Sequence, residues 1–161
     1  MILLRGVMRA SEALFGSEGH RPRPPLNDPS DDGATDQRRL RVMIVEDELF
    51  VAMHLESVLE EIGYEVTGIV SSGESALEEF SLQKPDFVLM DINLGVGING
   101  IAAAQQIRSA GDVEIIFVSA YSDAATRTRV EAALPGSRIL SKPVTPSELK
   151  SAIEAHALKR Q

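Results

Sequence analysis

The sequence contains no cysteine and no tryptophan in 161 residues. The first absence excludes a disulfide framework, thiolate catalysis, iron–sulfur clusters and cysteine-based zinc sites, and it fits a reducing compartment, so the expected location is cytoplasmic. Aromatic residues make up only 4% of the chain, too few for a surface that stacks nucleobases. Positive charge is also scarce: 16 Lys plus Arg stand against 24 Asp plus Glu, a formal net charge of -8. A field of that sign repels nucleic acid, and any phosphate chemistry must bring its own local cation. Long hydrophobic runs are missing as well. Nothing approaches the roughly 20 apolar residues of a membrane span. The opening Met1-Ile2-Leu3-Leu4 is interrupted by Arg5 and Arg9 with no signal-peptide core behind it. No membrane and no direct nucleic-acid partner is expected.

What is present suits one domain, at roughly 100 to 200 residues each, and 43% hydrophobic content supplies its core. That domain does not start at residue 1. Between Gly16 and Arg39 the chain carries Pro22, Pro24, Pro25 and Pro29 among Gly, Ser, Asp and Asn, and so buries too little surface to offset its ordering entropy. Residues 1–39 are read as a disordered leader and Pro-rich linker, and residues 40–161 as the folded domain. Ile2, Leu3, Val7, Ala10, Leu14 and Phe15 have loose helical spacing, equally compatible with a short amphipathic helix and a frayed end. Acidic and basic residues cancel over the first 40 positions, so the whole -8 belongs to the domain.

From Leu40 onward, short apolar runs alternate with helical periodicity. Runs at 41–45, 64–70, 87–90, 113–118 and 138–140 have strand length, and the first, third and fourth are near-continuous aliphatics, as strands buried on both faces should be. After the first, Leu49, Ala52, Met53, Leu55, Leu59 and Ile62 form a helical stripe that should face the core and stop at Gly63 in a left-handed turn. Ser71 with Glu74 predicts a capping box for the second helix, and Thr145, Pro146 and Glu148 a fuller one for the last. Gly111 is expected to end the third helix as Gly63 ends the first. Five strands alternating with five helices predict an α/β fold, a doubly wound five-stranded parallel sheet with helices on both faces.

In such sheets ligands bind beyond the carboxyl ends of the strands where strand order reverses, which for the order 2-1-3-4-5 lies between strands one and three. Glu46, Asp47 and Glu48 follow strand one, Asp91 strand three, Ser119 strand four, and Lys142-Pro143 strand five. Clustered carboxylates raise each other's pKa unless a cation sits among them, and a hard ion with few carboxylates and retained waters suits Mg²⁺. A metal and a lysine converging on one carboxylate favour phosphoryl transfer to it, with Asp91 as the nucleophile. The glycines at 95, 97 and 100 let backbone amides approach anionic oxygens. No Walker pattern follows them, so nucleotide binding is disfavoured.

Glu46-Asp47, Asp91, Ser119-Ala120 and Lys142-Pro143, in this order on alternating strands and helices, resemble the receiver domain of two-component response regulators over about 120 residues. The resemblance implies the flavodoxin-like receiver fold with sheet order 2-1-3-4-5 and a cis Lys142-Pro143 bond. It implies Asp91 as phosphoacceptor, and Mg²⁺ held by Asp47, Asp91 and the Asn93 backbone carbonyl, with Glu46 acting through water. Ser119 and Lys142 are then expected to contact phosphoryl oxygens. Three positions depart from the family pattern. Ile139 stands where an aromatic switch residue is usual, the loop after Asp91 has Gly95 in place of the common proline and is about one residue longer, and Tyr121 is bulky. With Asn93, Tyr121 is expected to set the lifetime of the phosphoryl group.

Each signal alone has a bland reading. Acid pairs after strands are more often solvated turns, Ser119 is a plausible helix cap, Lys142 a surface lysine, and His20, His54 and His156 are solvated or packing residues. Helix acids such as Glu56, Glu60, Glu61, Glu74, Glu78 and Glu79 read mostly as solvated faces. Only the last helix follows Lys142, so the expectation is a stand-alone receiver. Its phosphoryl donor is expected to be a sensor histidine kinase or histidine phosphotransfer protein. Its output is expected to be phosphotransfer or a downstream protein partner, with a possible homodimer through the face of helix four, strand five and helix five. Two alternatives stand beside this: a phosphate-independent pseudo-receiver, and a small Mg²⁺-dependent phosphatase of the haloacid dehalogenase type. The latter wants an Asp where Asn93 stands.

Overall fold

The computed structural model describes residues 39–157, so the readings made for the leader, the linker and His20 lie outside it. The order is β1 (Arg41–Val45), α1 (Leu49–Glu61), β2 (Glu65–Val70), α2 (Gly73–Gln83), β3 (Phe87–Asp91), α3 (Gly100–Ala110), β4 (Glu114–Ser119), α4 (Ala124–Ala133), β5 (Arg138–Ser141) and α5 (Pro146–Ala157). All pairings are parallel, in the order β2-β1-β3-β4-β5. The doubly wound sheet expected from the strand and helix alternation is therefore present, with order reversal between β1 and β3.

Because successive strand residues point to opposite faces, each central strand feeds two cores. Met43, Val45, Val88, Met90, Ile115 and Phe117 pack on one face against Ala76 and Phe80 of α2, Ile101, Ala104 and Ile107 of α3 and Val130 of α4. Val42, Ile44, Phe87, Leu89, Ile116 and Val118 pack on the other against Leu55, Val58 and Leu59 of α1 and Leu149 and Ile153 of α5. This two-sided burial is why β1, β3 and β4 read as unbroken apolar runs. The edge strands β2 and β5 are only partly covered, which explains their more mixed sequences.

Three local expectations are corrected. Leu49 and Met53 are 68% and 52% exposed, while α1 buries Ala52, Leu55, Val58 and Leu59. Leu49, Phe50 and Val51 are consecutive, and at about 100° per residue they span too wide an arc for all to face the sheet. The cap of α2 is Ser72, whose side chain accepts from the Ser75 amide; Ser71 is one residue too early. Gly111 does end α3, but in extended backbone. Its requirement is space, since a Cβ there would lie 2.9 Å from the Phe80 ring. Gly63, by contrast, has the expected positive φ of 89°, and Thr145 and Glu148 form the expected box, the Thr145 amide donating to Glu148 Oε2 at 3.0 Å. The Lys142–Pro143 peptide is cis.

The corrected cap is directly testable. Ser72→Ala is expected to cost about 1 kcal/mol of unfolding free energy and Ser71→Ala less than about 0.5 kcal/mol, as measured by urea denaturation; the reverse ranking would return the cap to Ser71.

Candidate functional site

The chain leaves β1, β3, β4 and β5 at one edge of the sheet, and each exit delivers one polar group. Glu46, Asp91 and Ser119 are buried there, 2%, 4% and 0% exposed, beneath an exposed Asp47. Single carboxylate oxygens of Glu46, Asp47 and Asp91 lie within 4.8 Å of one another. At that separation two unit charges repel by on the order of 3 kcal/mol for an effective dielectric of about 20, so the buried Glu46–Asp91 pair needs a counter-charge.

Lys142 supplies it. Its ammonium is 2.7 Å from Glu46 Oε2 and 3.3 Å from Asp91 Oδ2. Among the described residues, the Lys142 ammonium is the one partner of the buried Glu46 Oε2. Glu46 Oε1 accepts the Glu48 amide at 3.2 Å, satisfying a free donor at the start of α1. Burial pushes the Glu46 carboxyl above its ordinary pKa, and the Asp91 charge adds to this, while Lys142 opposes it. For Lys142, burial favours the neutral amine, but Glu46 and Asp91 outweigh it and hold the ammonium above its ordinary value. One lysine is thus shared among more negative charge than it neutralises. An all-oxygen acid set with a lone pair left over fits a hard divalent cation, to which Glu46, Asp47 and Asp91 can each offer an oxygen.

The acceptor loop, residues 92–99, is anchored beside these acids. The Asn93 amide donates to Asp91 Oδ1 at 3.1 Å, and the Gly95 amide to Asp47 Oδ2 at 3.2 Å. Gly100 is needed because a Cβ there would overlap the Asp91 carbonyl oxygen. So of the three loop glycines, Gly95 alone presents an amide to the acid cluster in this structure. Ser119 is not a helix cap, a role that Asp123 takes for α4. Its hydroxyl donates to the Tyr121 carbonyl at 2.8 Å and accepts the Tyr121 amide at 3.1 Å. Tyr121 meets the site through its backbone, and its side chain is 69% exposed. Ile139 pairs with Phe117 of β4 and borders a cavity of about 650 Å³ with Arg127, Val130 and Ser137, away from the acids.

The model of the response regulator receiver domain matches residues 42–154. The chain belongs to this family. It is 39% identical over 116 residues to the transcriptional regulatory protein PdtaR of Mycobacterium tuberculosis, covering 71% of this chain and 55% of that protein. Over 115 residues it is 36% identical to the chemotaxis protein CheY of Thermotoga maritima, covering 70% and 93%. Among solved structures, the signal receiver domain of a modulated diguanylate cyclase from Desulfovibrio desulfuricans matches with a TM-score of 0.69 at 32% identity, covering 75% of this chain and 95% of that one. The chain therefore spans little more than half the length of PdtaR. As a receiver domain it is a module of two-component signalling, a class of generally non-enzymatic switches that work with histidine kinases or downstream partners. No helix among the described residues is long and apolar enough to cross a membrane.

Two features beside the receiver site were not legible as functional in the sequence. Glu74 is exposed, in keeping with the solvated-face reading, but in place of the capping-box contact expected with Ser71 it accepts the Ile98 amide at 2.9 Å. Phe50, 84% exposed, lines with Val51, Lys142, Pro143 and Val144 an apolar cavity of about 340 Å³ next to the cluster. The adjacency of Leu49, Phe50 and Val51 was the available signal for the second.

The raised pKa of Glu46 has a defined sign. The folded state holds that proton more tightly than the unfolded state, so ionised Glu46 opposes folding above its folded pKa, and the penalty disappears as pH falls to the unfolded value of about 4.3. Glu46→Gln is expected to stabilise the metal-free protein at neutral pH, with the gain fading toward that acidic limit. Urea titrations without divalent ions at several pH values check this, and a destabilised neutral-pH variant would contradict it.

Proposed function

We propose that this receiver domain is a phosphorylation-switched signalling protein that accepts a phosphoryl group on Asp91 from phosphohistidine. The observation that carries the reading is Asp91 buried beside Glu46 at the sheet's reversal point, with the Lys142 ammonium reaching both. An Asp91 carboxylate oxygen attacks phosphorus in line with the P–N bond. That bond's electron pair returns to the imidazole, which then takes a proton. Asp47, Asp91 and the Asn93 carbonyl would hold Mg²⁺, with Glu46 acting through water, and the ion would supply neutralising charge to the phosphoryl oxygens. Lys142, already 3.3 Å from Asp91 Oδ2, pairs with one phosphoryl oxygen. Ser119 turns its hydroxyl from the Tyr121 carbonyl to another. Asn93 and Tyr121 control access of the water that later hydrolyses the acyl phosphate.

A protein donor is favoured over a small one by the apolar surface at the site's rim. Leu49, Phe50 and Met53 are exposed on the first turns of α1, and exposed apolar patches of this kind mark protein contacts. The donor is a sensor histidine kinase or a histidine phosphotransfer protein. Phosphorylation adds roughly 1.5 to 2 negative charges, and the output is phosphotransfer or partner binding through the face of α4, β5 and α5, on which a homodimer also fits. With Ile139 carrying no polar atom, that face moves without a hydroxyl–aromatic contact.

Two experiments test this. Incubation with acetyl phosphate and Mg²⁺ is expected to add one phosphoryl group, detected by mass, and Asp91→Asn or chelation to abolish it; undiminished labelling of the variant would sink the assignment. Phe50→Glu is expected to slow transfer from a phosphohistidine donor by about tenfold or more, the equivalent of at least 1.4 kcal/mol, while leaving acetyl phosphate labelling intact. Equal slowing of both reactions would show that Phe50 serves the site and not donor docking.

A further inference from the structure

The acceptor loop contains no proline, and its Val96 is 96% exposed. Such a loop has to be ordered by ties elsewhere, or the groups it presents to the acid cluster cost ordering entropy with every binding event. Besides the Asn93 amide on Asp91 at 3.1 Å, three amide ties hold it. Gly100 donates to the Ile92 carbonyl at 3.2 Å, Gly95 to Asp47 at 3.2 Å, and Ile98 to Glu74 Oε1 at 2.9 Å. Of these, the Asp47 tie depends on an oxygen that a cation in the cluster competes for. Glu74 lies outside that cluster, so its tie survives when Asp47 is drawn to a metal.

The surroundings of Glu74 are shaped for this contact. Gly97 has φ of 103°, and a Cβ there would stand 2.5 and 2.7 Å from the two Glu74 carboxylate oxygens. A Cβ on Gly73, the residue before Glu74, would stand 2.5 Å from the Ile98 carbonyl oxygen. Two glycines on different elements thus let the start of α2 and the loop approach closely around one carboxylate. An acid in a helix's first turn is favourable on its own, but that benefit does not require the glycine opposite.

We propose that Glu74 is the positioning residue of the acceptor loop: by holding the Ile98 amide it fixes the path of residues 92–99, and with it the Asn93 backbone and Gly95 amide beside Asp91 and Asp47. This rests on the receiver reading above and extends it to a residue outside the acid cluster. Glu74→Gln keeps an acceptor oxygen and removes the charge, whereas Glu74→Ala removes both and keeps a good helix former.

With no tryptophan to report binding, the test uses the full ¹⁵N-labelled chain. Hydrogen exchange at Ile98 and the amide shifts of Asn93 and Gly95 are followed without metal. Mg²⁺ is then titrated, and the lifetime of the phosphoryl group added by acetyl phosphate is timed. In Glu74→Ala, Ile98 is expected to lose protection and the Asn93 and Gly95 shifts to move. Mg²⁺ affinity is expected to fall by about 2- to 10-fold, the equivalent of one net hydrogen bond, and the phosphoryl lifetime to change. Glu74→Gln is expected to remain near wild type in all four. Unchanged Ile98 protection or Mg²⁺ affinity in Glu74→Ala overturns the proposal, as does a Glu74→Gln variant as weak as Glu74→Ala, which would assign the effect to charge. A wild-type chain that neither binds Mg²⁺ nor takes up phosphate overturns the receiver reading instead; the exchange and shift comparison, which needs no metal, then still decides whether Glu74 holds the loop.

Discussion

One ammonium group does the work of holding buried carboxylates together. Lys142 reaches Glu46 and Asp91 at once, and without it two acids nearly shut off from water would face each other at the end of a low-dielectric core. Everything else at this edge follows from placing that lysine. The sheet order brings β1, β3, β4 and β5 to a common end, and the cis bond after Lys142 turns the chain away into α5. The lysine's neutralisation is partial, since one ammonium is shared by two buried carboxylates. The negative charge left over can attract a further cation, and it would repel an anionic phosphoryl group unless that cation were present.

The fold was legible where burial is two-sided. Apart from Asp91 and Ser119 at the ends of β3 and β4, the buried positions of β1, β3 and β4 are apolar, so no alternation has to be recognised and their limits can be read within a residue. Helix ends were legible where the signal is redundant: Gly63 combines a periodic stripe with a left-handed stop, and Thr145 combines a hydroxyl, a proline and a glutamate. Where two serines adjoin, as at Ser71 and Ser72, the same code is ambiguous, and the backbone decides between them. Leu49 and Met53 were misassigned to the core because apolar character was taken as burial, and surfaces that meet other proteins are apolar too.

The site was legible because its members are side chains at strand ends, where the fold restricts what can converge. Glu46, Asp47, Asp91 and Lys142 do meet, and Ser119 lies buried at the end of the neighbouring strand. Glu74 was not legible. Its partner at Ile98 is a backbone amide, which every residue but proline owns, so nothing in the identity of residue 98 announces the contact. The glycines at 73 and 97 are its traces in the sequence, and glycine has several other uses.

The distribution of helices has one more consequence. α1 and α5 cover one face of the sheet, and α2, α3 and α4 the other. The exposed apolar residues at the start of α1 and the cavity between α4 and β5 therefore lie on opposite sides of the molecule. On the reading proposed above, a donor seated on α1 adjoins the α5 part of the output face and leaves its α4 part uncovered. On that reading, a partner held on the α4 side alone could stay in place while the donor binds.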